Sequence, residues 1–476
     1  MSDTSKTVKS DNAEAEKAAQ GDSAEAAKAV KGDGAEAPKA TKVEKTDGVV
    51  EKQATVAPAD DPTAAPVAVV DPRLLVREEG LKGYVTEFKR KVKGGELGSL
   101  PVFIGLIIIW TIFQLQNDRF LSAENLSNVS YFLSATGMLA IGLVFVLLLG
   151  EIDLSVGSVS GLASTLFAVF VVDHTMNQWV ALFLTVLTGV AIGALHGWFF
   201  AKIGVPAFVV TLAGFLGWNG LMLWLLGSSG TINIPAESGP VHLLGQSSFF
   251  MDQAIVGAYL LAGLGVVLML VGNFGEQRRR RIAGVPFRPT SEILIRVGAL
   301  GIASFVAAAV LNNAAGVSNA LVIFLACLVI VDFVLRRTTY GRKVFAVGGG
   351  IEAARRAGIN VALIRITVFA IAGGFAAVGG MFFAGQTASA TLNAGGGNTL
   401  MLAIAAAVIG GTSLFGGRGS VWSALLGMLV IQSIQTGLDL LNMNTSIQYM
   451  ITGGVLLGAV VIDSVSRKSQ KAAGRG

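Results

Sequence analysis

Two carboxylates stand one residue apart in a strongly apolar region, within Gly150-Glu151-Ile152-Asp153-Leu154-Ser155-Val156-Gly157-Ser158. Acids near the membrane are costly to bury and usually face a cavity or a partner. Glu151 and Asp153 therefore suit gating or contact with a moving element; the dull alternative is solvation, or pairing with a basic loop, at the cytoplasmic end of a span. The flanking glycines permit a chain break or close packing, and Ser155 or Ser158 is placed to cap the following helix. A second polar break, Ile409 to Ser420, carries Thr412, Ser413 and Arg418. It reads as a tight positive hairpin or as a second intracellular contact, and its Gly-Ser-Val at 419–421 echoes 157–159. A third polar stretch runs Arg336-Arg337-Thr338-Thr339-Tyr340-Gly341-Arg342-Lys343 and leads to Glu352-Ala353-Ala354-Arg355-Arg356-Ala357-Gly358. A basic loop followed by a short helix over 351–358 is expected there. Glu352 in its first turn suits the helix dipole, Arg355 and Arg356 extend from its surface, and Gly358 ends it.

Other chemistries find little support. His174, His196 and His242 are scattered and form no ligand cluster, and Cys327 is the sole cysteine, which excludes an internal disulfide and a cysteine metal site. No Gly-x-x-x-x-Gly-Lys-Ser/Thr occurs, so the chain lacks the phosphate loop of that ATPase machinery.

The elements that hold these motifs are membrane helices. The chain is 53% hydrophobic and 14% charged, against about 25% charged for soluble proteins. Apolar runs lie near 101–116, 130–149, 156–172, 179–201, 206–228, 253–273, 293–312, 317–335, 364–385, 399–415, 420–441 and 447–463. Most reach the roughly 17–25 residues that cross a hydrocarbon core. About twelve spans put Lys89 to Lys91, Arg278 to Arg281, Arg288, Arg336 to Lys343, Arg355, Arg356, Arg418 and Arg467-Lys468 on one face. By the positive-inside rule that face is cytoplasmic, with both termini on it. Loops 229–252 and 386–398 lack Lys and Arg and fall outside. The net charge of +5 follows this loop bias and does not indicate a nucleic-acid partner. Residues 1–95 form an Ala/Lys/Glu/Asp-rich tail and juxtamembrane segment, and the tail buries too little apolar surface to order itself. Residues 96–465 form the transmembrane domain and 466–476 a basic tail. Pro206 suits a first helical turn, and Asp332 with Arg336 is spaced for an ion pair.

Taken together, the blocks GEIDLSVGS, VPAFVVTLAG, GRKVFAVGG…EAARRAGI and GGTSLFGGRGSVW resemble ABC sugar permeases of the ribose and xylose group, in the family's order, over 100–465. The resemblance implies an all-α polytopic bundle, here a core of about ten helices plus an extra pair, with a basic insert at 277–290 as in the xylose branch. It makes Gly341, Arg342, Glu352, Ala353, Ala354, Arg355 and Gly358 the coupling region, whose short helix seats in a groove of a separate ATPase. It further implies an extracytoplasmic sugar-binding protein, a second permease copy, and ATP with magnesium on the ATPase, with no cofactor on this chain. Glu151, Asp153, Ser155, Gly157, Thr412, Ser413 and Arg418 are the gating or pathway candidates. His196 stands where ribose-type members often have Asn, and Glu151 where many relatives have Gly. The expected function is import of a monosaccharide, a pentose such as xylose, by a membrane subunit that is not itself an enzyme. An ion-coupled secondary sugar transporter is the alternative, and it would want ionisable residues at mid-membrane.

Overall fold

The computed structural model describes residues 100–472, apart from 246–248, 251–253, 286 and 397. The expected disordered tail lies outside the described residues. Each of the twelve apolar runs corresponds to a helix: α1 (Leu100–Gln116), α2 (Ala123–Leu148), α3 (Val156–Val172), α4 (Gln178–Trp198), α5 (Ala207–Leu226), then α7 (Ala254–Ile282), α8 (Thr290–Asn312), α9 (Asn319–Arg337), α12 (Val361–Thr387), α13 (Thr399–Ile409), α14 (Trp422–Leu440) and α15 (Thr445–Ala472). Short helices α6 (Gly239–Leu244), α10 (Thr339–Gly349) and α11 (Ile351–Arg356) lie between them. Among the described residues, eight helices are long and apolar enough to cross a membrane, while α1, α3 and α13 are shorter apolar helices. The protein is a polytopic α-helical membrane protein.

Burial follows side-chain distribution. Helix α2 is apolar on every face from Gly137 to Leu148 and is buried along most of its length, as expected of a stretch with no polar stripe. It is the axis against which α12, α13 and α14 pack. Helices α4 and α12 approach backbone to backbone along Gly189, Gly193 and Gly197; a side chain at Gly193 would run into the Phe369 carbonyl. Small residues four apart are the usual means of such contact in lipid. By contrast α7 and α8 pack mainly on each other and leave Leu260, Leu264, Val271, Leu294, Ile295 and Ile302 exposed. Exposed apolar side chains on membrane helices suit a lipid-facing surface. Helix α1 is fastened to α14 by Trp110 Nε1 donating to Ser433 Oγ at 2.9 Å and by Asn117 Nδ2 donating to the Leu440 carbonyl at 3.1 Å.

The structure departs from the sequence reading in three places. The run at 399–415 is helical only to Ile409, because Gly410 packs against the Ser423 backbone and Gly411 takes φ +107°. The basic stretch 336–343 is not a loop. Helix α9 continues to Arg337, and Thr338 starts α10 at once by accepting from the Gly341 N–H. Finally, the two loops expected outside are joined: β1 (Thr231–Asn233) pairs antiparallel with β2 (Ser389–Thr391), with Ile232 opposite Ala390.

Candidate functional site

The exposed end of the site is α11. It has six residues, of which Ala354 alone is buried. Glu352 lies in its first turn and pairs with Arg355 at 2.7 Å, on the surface. The chain leaves the helix through Gly358 at φ +75°, the left-handed conformation that glycine adopts without strain. Asn360 then caps α12, its Oδ1 accepting from the Leu363 N–H at 3.0 Å. Gly341 sits at the other end of α10, where a side chain would strike the Leu335 backbone. Arg342 is exposed and Ala353 likewise, so the expected coupling residues divide into a packed hinge and an outward face.

Directly behind α11 three backbones meet. The Gly417 N–H donates to the Leu148 carbonyl at 2.9 Å. A side chain at Gly416 would lie 2.8 Å from both Gly150 N and the Gly348 carbonyl, and one at Gly417 would lie 3.0 Å from Gly349 Cα. The end of α2, the end of α10 and the loop after α13 are thus in direct contact. All three polar motifs singled out in the sequence converge on this junction.

Glu151 and Asp153 separate from here. Glu151 is 4.0 Å from Arg365, in the second turn of α12. Burial pushes the Glu151 carboxyl above its ordinary value, and Arg365 pulls it back. The Arg365 guanidinium also lies over the Phe200 ring at 4.2 Å, a cation–π contact. Asp153 is only 2% exposed, so it is not the solvated acid that its place between spans allowed. Its Oδ1 accepts from the Ser155 N–H at 2.8 Å and from Ser155 Oγ at 2.6 Å. Burial raises its pKa, while those hydrogen bonds act the other way. Ser155 therefore does not cap α3 with its side chain, and Ser158 Oγ donates to the Ser155 carbonyl instead.

The polar chain continues. Ser155 Oγ lies 3.2 Å from His196 Nδ1, and Trp218 Nε1 donates to His196 Nε2 at 3.0 Å. Indole can only donate, so Nε2 carries no proton. The Nδ1–H then donates to Ser155, whose own hydroxyl proton goes to Asp153. Asp153, Ser155, His196 and Trp218 form one directed hydrogen-bond chain across the loop, α4 and α5. Such fully satisfied buried networks fix a single arrangement.

At its far end the first motif reaches the loop between α12 and α13. A side chain at Gly157 would meet the Gly395 carbonyl and, at 3.1 Å, Leu400 Cβ. Helix α13 starts beside this contact and has 11 residues, about 16 Å against a hydrocarbon core of about 30 Å. In the second motif Thr412 and Ser423 bond through their hydroxyls, the Ser413 N–H donates to the Arg418 carbonyl at 3.0 Å, and Ser413 Oγ accepts from the Phe415 N–H at 3.1 Å. These hold the turn in shape. Arg336 donates to Ser420 Oγ at 2.8 Å and ties the turn to α9. Sequence reasoning did not assign Arg365, Phe200 or Trp218. A lone arginine one turn into an apolar run was the available signal for the first.

A family model described as "Branched-chain amino acid transport system / permease component" matches residues 125–460. The chain belongs to this permease family. The matched residues include all three motifs and the junction behind α11. Among curated relatives, the xylose transport system permease protein of Haemophilus influenzae is 34% identical over 380 residues, covering 79% of this chain and 99% of the relative. The corresponding Escherichia coli K12 protein is 34% identical over 375 residues, covering 78% and 93%. The ribose import permease protein of Bacillus subtilis is 29% identical over 380 residues, covering 79% and 96%. No solved structure matches the chain. A permease of this family is a transport subunit, which agrees with the absence of a phosphate loop from the sequence.

Proposed function

We propose that this permease is the membrane subunit of an ATP-driven importer of a monosaccharide, with a pentose such as xylose as its substrate. The observation that carries the proposal is the placement of α11, an exposed charged helix joined through the Gly348–Gly350 segment to both interhelical breaks. A separate ATPase subunit, holding ATP and magnesium, would grip Glu352, Arg355 and Arg356. Its movement would pass through Gly348 to Gly150 and Gly416, and through Arg365 to Glu151. The first motif would carry it onward to the outer loop at Gly157. Sugar rather than amino acid is favoured by the full-length relatives, which are named for xylose and ribose. A neutral polyhydroxyl substrate also needs no buried charge to balance, in keeping with spans nearly free of ionisable residues.

The remaining parts follow from the same reading. An extracytoplasmic binding protein delivers sugar to the cap made by β1 and β2, a second copy of the permease completes the pathway, and α10 and α11 lie in the cytoplasm with both termini. The test is co-purification of the tagged chain from mild detergent, together with uptake of labelled xylose, ribose and leucine. Intact protein should retain an ATPase and support pentose uptake. Glu352→Lys and Gly358→Trp should leave the protein in the membrane but lose the ATPase or its coupling to uptake. Normal uptake by both variants, or uptake that survives ATP depletion and collapses with a protonophore, would overturn the proposal.

A further inference from the structure

We infer that the inner end of the α7–α8 hairpin is a binding site for anionic phospholipid headgroups. Helix α7 has 29 residues, about 43 Å of helix, and its apolar part ends near Phe274, about 31 Å from Ala254. That length matches the hydrocarbon core, so the following turns stand at headgroup depth. Those turns carry Arg278, Arg279, Arg280 and Arg281, and Arg288 and Arg296 follow across the turn. The carboxylates within reach are already engaged. Glu276 pairs with Arg280 at 3.0 Å and Arg337 at 3.9 Å, and Glu292 with Arg296 at 3.2 Å and Arg288 at 3.8 Å. Six arginines against two glutamates leave a local excess of positive charge. The Arg278, Arg279 and Arg281 side chains are exposed.

Charge alone would suit a protein partner equally well. What selects lipid is the apolar surface in the same turn: Ile282 is 77% exposed and Val285 46%, between Arg281 and Arg288. Leu294 and Ile295 continue that surface on α8. A run of arginines followed directly by exposed aliphatic side chains, at the end of an apolar hairpin, matches an interface that meets phosphate and acyl chain together. Between the two helices Asn273, Glu276, Gln277, Arg280, Arg288 and Ile293 line a small crevice. Gln277 Nε2 spans it, donating to the Arg288 carbonyl at 3.0 Å and to Thr290 Oγ1 at 3.2 Å, which holds the turn against α7. In the orientation proposed above, on which this inference rests, this end shares the cytoplasmic side with α11, where the bilayer's anionic lipid meets polybasic segments.

The test uses the full chain in mild detergent with equal amounts of phosphatidylglycerol and phosphatidylcholine, bound lipid being read by native mass spectrometry. The intact chain should retain phosphatidylglycerol over phosphatidylcholine by about tenfold, a preference that weakens with salt. Combined Arg278→Gln, Arg279→Gln, Arg281→Gln and Arg288→Gln should bring the two lipids close to parity. The same four positions changed to Lys should keep most of the preference, and an unchanged gel-filtration profile shows that each variant is folded. Equal lipid retention by the intact chain and the Gln variant would overturn the inference. So would displacement of the lipid by inorganic phosphate alone, or loss of a co-purifying ATPase with lipid preference intact.

Discussion

At the residue scale, the two acids of the first motif have been given opposite tasks by their surroundings. Asp153 is sealed into a chain ending at Trp218, each member of which has its donor or acceptor used. Removing one member leaves others unpartnered inside the protein, at about 1–3 kcal/mol for each orphaned group. Glu151 is instead held by a partner on another element, Arg365, which follows α11 by less than three helical turns. The pair is partly buried, with side-chain exposures of 26% and 16%, so solvent screens it less than a surface bridge. If it transmits movement, Glu151→Gln and Arg365→Gln should each reduce ATP-driven uptake, and the double variant should be no worse than the worse single. The cycle should yield a coupling of about 1 kcal/mol; additive losses would show that the two residues act separately. Both acids were legible in the sequence because charge is rare in apolar runs. Their partners were not, since Arg365, His196 and Trp218 come from three distant stretches and only the packing of α4, α5 and α12 brings them together.

At the element scale, the helices were readable and their interruptions less so. Runs of apolar residues mark where helices lie, and each of the twelve coincides with one. Helix α10 carries a signal of its own, since Gly341, Val344 and Val347 recur every three residues and are the buried ones, but the charges between them read as a loop. Strands β1 and β2 have three residues each, too few for alternation to show. Glycine content suggested close packing but not which glycines mattered, and geometry separates them. Gly193 lies against the Phe369 carbonyl, whereas no atom lies within 4 Å of a side chain placed at Gly217. Both are mid-helix, where alanine is favoured over glycine by about 1 kcal/mol. Gly217→Ala should therefore raise or preserve the melting temperature in detergent, and Gly193→Ala should lower it through overpacking worth about 1–3 kcal/mol. Equal behaviour of the two would mean that α4 and α12 can separate freely, against the close contact described.

At the scale of the whole molecule, a glycine junction and a two-stranded cap are joined by one short segment. At one end, three glycine backbones touch behind an exposed helix. At the other, β1 and β2 bind the loop after α5 to the loop after α12, and the same second loop leans on Gly157 through Gly395. Residues 150–157 thus touch both, as the proposed coupling of one membrane face to the other requires. On this account the cap moves as one body, because its two strands share hydrogen bonds and Ser389 and Ala390 are buried. Ile232 and Ala390 face each other across the pair, and Cys327 is the single native cysteine. A Cys327→Ala chain with Ile232→Cys and Ala390→Cys therefore allows the strands to be locked and released chemically. In vesicles supplied with the ATPase and binding protein, oxidation should form the disulfide and leave pentose uptake unchanged. Uptake that stops on oxidation and returns on reduction would mean that the strands part during each cycle. The outer loops would then be two gates rather than one cap, and force from Gly157 would have to open the sheet instead of tilting it.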